Sequence, residues 1–206
     1  EVLLNSLNTA PFFLRELGIF LHFILIPMLV VDSFNGEYTS GMYRLILLRP
    51  QGRSKLFLIK TAVQAMILFG LLVMTLIGAT IYGKLAFPEV TEVSFLQTES
   101  LEPFQAFLYT VAFYLIAFLV CFAVMSVSSL ISTIMPNTIL SYVGIISFLI
   151  GSIYLSDQLS FLISFSDSIF QVMGNQNDTM LALLFLLIFL SNIINIIVWK
   201  KGNWMC

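Results

Sequence analysis

The chain has 206 residues, of which 59% are hydrophobic, 14% aromatic and only 10% charged. Soluble domains carry nearer ~25% charge, and with a mean hydropathy of +1.01 and twenty Phe residues this composition excludes a soluble globular domain, a disordered tail and a disulfide scaffold. A net charge of −2 leaves no basic surface for nucleic acid, so an integral membrane protein is expected.

Five apolar runs have the ~20-residue length that crosses a lipid core. They are 12–31, 56–83, 104–132, 138–155 and 179–199. The first holds Arg15 and Glu16 near one end, where their side chains reach the interface, and Pro27, which a membrane helix accepts as a kink. The second and third are long enough to tilt or to project beyond the lipid. The runs are continuous rather than alternating at ~10-residue spacing, which excludes an outer-membrane barrel. The expected fold is all-α, a polytopic bundle of transmembrane helices.

The basic residues set an orientation. Arg44, Arg49, Arg53, Lys55, Lys60, Lys200 and Lys201 fall on one set of connections, and only Arg15 and Lys84 fall on the other. By the positive-inside rule the first set is cytoplasmic. The segments around Lys84–Pro103 and Ser156–Asp178 are then outside, and so is Glu1. One further span ahead of Glu1 is therefore expected, making these five the last five of six.

Two connections have structure of their own. From Ser40 to Leu48 the cytoplasmic stretch has helical character, with Met42, Leu45, Ile46 and Arg49 on one face, and Pro50 with Gly52 stops it. On this pattern alone it is an amphipathic helix at the membrane surface or against a partner. Outside, residues 157–174 read as an amphipathic re-entrant helix. Ser160, Ser164, Asp167, Ser168 and Gln171 form its polar stripe, and Leu159, Leu162, Ile163, Phe165, Ile169 and Met173 its apolar face.

The cytoplasmic stretch resembles the segment after the second span of type-2 ABC transporter permeases, the membrane subunits of bacterial ABC exporters. The resemblance rests on Glu37, Gly41 four residues on, the apolar Leu45–Leu48, Pro50, the basic Arg53 and Lys60 opening the next span. Family members often have Thr after the Gly, where this chain has Met42. The resemblance implies six spans and a coupling helix at about 36–48 that docks on a cytoplasmic ATPase through Glu37, Gly41, Met42, Leu45, Ile46, Pro50 and Arg53. It further implies a working unit of two ATPase subunits and two permeases, the second being another copy or a homologue, in the bacterial inner membrane. The chain would itself hold no cofactor and would not be an enzyme. ATP and Mg belong to the partner, because phosphoryl transfer needs a phosphate cradle and metal ligands.

Polar residues inside the spans are candidates for a translocation path: His22, Gln64, Tyr109, Tyr114, Asn192 and Asn195. Each has a plainer reading as a helix-to-helix hydrogen bond. Ser147 and Gly151 form a small-xxx-small pair at which the fourth span should pack closely on a neighbour. Cys121 and Cys206 lack the His and Cys spacing of a metal site and read as inert thiols. Gly78–Leu85 matches part of a phosphate loop, but Leu85 stands where the Mg-binding hydroxyl is required. Asn177-Asp178-Thr179 is a sequon with meaning only in a eukaryotic secretory setting. Two rivals to an exporter subunit are an ion-coupled secondary transporter, which would show intramembrane acids and internal repeats, and a non-transporting membrane scaffold.

Overall fold

A computed structural model describes residues 4–36, 52–88, 90, 92, 93, 95, 101–135, 137–155, 157–174 and 179–201. Helices α1 (Thr9–Phe20) and α2 (Ile26–Val31) form one continuous rod with a π-helical turn at Leu21–Leu25 between them and another at Asp32–Gly36 after them. The rod is followed by α3 (Arg53–Ala86), α4 (Pro103–Ile134), α5 (Thr138–Leu155), α6 (Phe165–Met173) and α7 (Thr179–Lys201). Among the described residues there is no strand, only an isolated bridge between Val93 and Leu101.

Local chemistry sets the helix ends. Glu102 and Gln105 form a capping box ahead of α4, and Pro103 fills its first turn, where an N–H has no intrahelical partner. The other end stops at Met135, extended before Pro136. The end of α3 follows the same rule, with Phe87 extended ahead of Pro88.

Among the described residues four helical stretches are long and apolar enough to cross a membrane: Thr9–Gly36, Ser54–Ala86, Pro103–Ile134 and Thr179–Lys200. The fifth expected span, α5, is a helix of 18 residues, about 27 Å at 1.5 Å per residue. Half of the α4 window is buried, against 22% for α3 and 17% for α7. So α4 is the axle of the bundle, and α3 and α7 turn most of their apolar surface outward. Met66, Met74, Leu85 and Phe189 are among the exposed side chains, as a lipid-facing surface requires.

The ends of the bundle are separately tied. At one end Arg15 pairs with Asp167 across 3.2 Å, and a Cβ at Gly83 would meet Ser6 O at 2.9 Å. At the other end Phe34, Phe57 and Trp199 form a ring cluster with centroids 5.8–5.9 Å apart. Lys60 donates there to Ser33 O at 2.6 Å and sits 5.6 Å from the Phe34 ring. The described residues that flank connections of one charge group thus share an end in space.

The amphipathic segment over 157–174 differs from the sequence expectation. It is not one helix over 157–174 but a 3₁₀ turn at Asp157–Leu162 and then α6, with the break at Ile163–Ser164. The break resets the helical phase, so the apolar face changes. Phe161, Leu162, Phe165, Ile169, Phe170 and Val172 are buried, and Ser168 of the polar stripe is buried with them, as is Ser166. Ser168 is satisfied within its own segment by donating to Ser164 O at 3.0 Å. Within the chain the named small-residue pair makes no close contact. Ser147 is exposed, and a Cβ at Gly151 would meet nothing within 4 Å. Close packing of α5 falls instead at Gly144, where a Cβ would lie 3.1 Å from Ile131 Cγ2 of α4.

Candidate functional site

The first candidate centre is built by Pro27. Proline lacks an N–H and its ring clashes with the carbonyl four residues back. The rod answers by widening into the π-helical turn, in which the Ile26 N–H reaches back five residues to Leu21 O. The Phe23 carbonyl, which residue 27 would ordinarily have bonded, accepts the Tyr142 hydroxyl of α5 at 3.0 Å. Within this turn His22 is fully buried. Its Nδ1 lies 2.9 Å from Gly18 O, and a carbonyl only accepts, so Nδ1 carries the proton and Nε2 is left with a lone pair. Nε2 faces Cys121 Sγ of α4 at 3.9 Å. The Phe165 ring of α6 closes the group, 4.8 Å from the imidazole centroid and seated over Gly18. The lone histidine and inert thiol of the sequence are therefore one buried pair.

The second centre is a polar seam between α4 and α7. Asn192 donates from Nδ2 to Ser126 Oγ at 3.1 Å and to Ile188 O at 2.9 Å. Asn195, fully buried, donates to Ser129 Oγ at 2.9 Å and to Ser126 O at 3.3 Å. Its Oδ1 has no partner among the described residues. Sequence reasoning singled out the two asparagines but not the serines. Ser126, Ser129 and Ser132 recur every three residues within the span, matching the three-residue spacing of the asparagines, and that was the available signal.

A third polar residue, Asn35, escaped the sequence reading because it lies just past the first apolar run. Its Nδ2 donates to Met135 O at 2.9 Å and Ser141 Oγ at 2.8 Å, with Ser132 O at 3.5 Å. It thereby caps carbonyls at the end of α4 and ties α5 to them.

The remaining path candidates lie apart. Gln64 donates to Leu29 O at 3.1 Å, linking α3 to the first rod. Tyr114 donates to Ala10 O at 3.0 Å, and Tyr109 stacks on Phe95 with centroids 4.3 Å apart. The structure brings Asn192 and Asn195 together and pairs His22 with Cys121, but it does not gather the six candidates into one site. Glu37, Gly41, Met42, Leu45, Ile46 and Pro50 lie outside the described residues, and Arg53 is the first residue of α3. Among the described residues no three of His, Cys, Asp and Glu converge on a common point.

Among the described residues these elements define an all-helical protein of the membrane class, with polar groups paired between helices and many large apolar side chains turned outward. The chain belongs to the family described as protein of unknown function (DUF2705), whose match runs over residues 5–205. No curated protein and no solved structure matches it.

Proposed function

We propose that this chain is the membrane subunit of an ATP-driven exporter of the type-2 ABC permease kind, contributing to a translocation path and driven by a separate cytoplasmic ATPase. The observation that carries this reading is the signature from Glu37 to Lys60 and its setting. It joins the rod ending at Gly36 to α3 starting at Arg53, at the bundle end that holds Lys55, Lys60 and Lys200. Seven of the nine basic residues fall in sequence on or beside the connections at this end, which by the positive-inside rule faces the cytoplasm. An ATPase would meet the chain there.

On this reading the rod, α3, α4, α5 and α7 are five spans, and α6 dips into the bundle from outside. The side chains of Met42, Leu45 and Ile46 fill a groove on the ATPase. Burying two or three of them at ~25 cal/mol per Å² contributes several kcal/mol before the cost of association. Glu37 at the start of the coupling helix and the basic residues past its end both suit the helix dipole.

The test is co-purification. Met42→Asp with Leu45→Asp should release the ATPase subunit while the permease stays inserted and keeps its partner permease. Full retention of the ATPase, with transport intact, would show that the segment is a surface anchor and that the assignment to exporters fails.

A further inference from the structure

The His22–Cys121 pair has the donor set of a metal site that the exporter reading neither uses nor needs. We propose that these two residues, with Met125, bind a soft monovalent cation, copper(I), inside the helix bundle. The imidazole is already prepared as a ligand. Its Nδ1–H is held by Gly18 O, which fixes the tautomer and aims the Nε2 lone pair at Cys121 Sγ. A ligating histidine ordinarily has its second nitrogen held in this way. The 3.9 Å between Nε2 and Sγ is long for a hydrogen bond but suits a bridged metal. Metal–nitrogen and metal–sulfur bonds of about 2.0 and 2.3 Å span that distance at an angle of about 130°. This angle is nearer trigonal than linear, so it leaves room for a third ligand. Met125 stands one turn beyond Cys121 on the same face of α4 and is buried. Its thioether completes an N, S, S set of the kind that selects copper(I).

Charge selects the same ion. His22 and Cys121 are fully buried among apolar side chains, where a net charge is costly. A monovalent ion displaces the thiol proton, so Cu⁺ and Cys–SH give a neutral Cys–S–Cu unit and one H⁺ released to solvent. No electron is transferred. Zinc(II) in the same place would leave a net positive charge, and it would lack the four ligands of its closed sites.

The test is a titration of the full chain in detergent with copper(I) under reducing conditions, competed by a copper(I) chelator. Cys206→Ser serves as the background, so that Cys121 is the sole thiol. One equivalent should bind, with thiolate-to-copper absorption in the ultraviolet and an affinity that rises about tenfold per pH unit because a proton is released. Cys121→Ser should abolish binding, and His22→Phe should weaken it about tenfold or more. X-ray absorption of the loaded background protein needs no further variant and should show both nitrogen and sulfur around the metal. No binding by the background protein, retained binding in Cys121→Ser, or a shell lacking either nitrogen or sulfur would each overturn the proposal.

Discussion

Gly18→Ala asks whether α6 is seated by a single ring. An alanine Cβ at position 18 would fall 1.9 Å from Phe165 Cε1 and 2.8 Å from Cζ. Carbon atoms rest about 3.5–4.0 Å apart, so the ring must retreat by roughly 1.5–2 Å. It has little room to do so, being 2% exposed and packed on the His22 imidazole. Overpacking of this kind costs about 1–3 kcal/mol. Taking about 2 kcal/mol, the melting temperature of a chain this size should fall by about 4–8 °C. The assay is thermal unfolding of the detergent-purified protein, repeated in a double-mutant cycle with Phe165→Leu. Leucine has no atoms at the Cε1 and Cζ positions, so the double variant should melt close to Phe165→Leu alone, a coupling of about 1–2 kcal/mol. A harmless Gly18→Ala, or losses that simply add, would refute the claim that this ring is what Gly18 accommodates.

Two further outcomes follow from the hydrogen bonds and the ion pair. Tyr142→Phe strips the donor from the Phe23 carbonyl and should cost about 1 kcal/mol in an SDS unfolding titration. The same change made on a Pro27→Ala chain should cost clearly less, because the substituted alanine supplies an N–H to that carbonyl; equal losses in both would contradict the account of the π-helical turn. The side chains of Arg15 and Asp167 are 44% and 49% exposed, so Arg15→Gln or Asp167→Asn should shift stability by less than about 1 kcal/mol, with the shift fading near 1 M salt. A large, salt-independent loss would mean that the pair is not a surface contact.

The apolar runs were legible because a lipid-crossing helix writes its length into composition. The helices then extend past those runs where polar residues still suit a helix end: α3 begins at Arg53 rather than Leu56, and α7 reaches Lys201. The amphipathic outer segment was legible as a segment but not in its facing. One continuous helical phase was carried through Ser164, where the chain breaks, and so Phe170 and Val172 were missed. The pairing of His22 with Cys121 was not legible at all. It joins residues 99 positions apart on two helices, and only the rotation of each helix about its own axis decides whether they meet. The six path candidates had the same difficulty. Composition showed that they are polar in an apolar setting, but not which neighbour would satisfy each one.

The hydrogen bonds that tie the first rod to later helices set a timetable for synthesis. Asn35 waits for partners at 132, 135 and 141, and the Phe23 carbonyl waits for Tyr142, which is 119 residues downstream. At the usual 5–20 residues per second, that is roughly 5–25 s during which the rod stands in or beside the bilayer with these groups unmatched. The rod therefore cannot be released alone into lipid without cost. The insertion machinery must shelter it, or water must reach it, until α4 and α5 arrive. Trp199 completes the ring cluster last, so that end of the bundle closes only once α7 has been made.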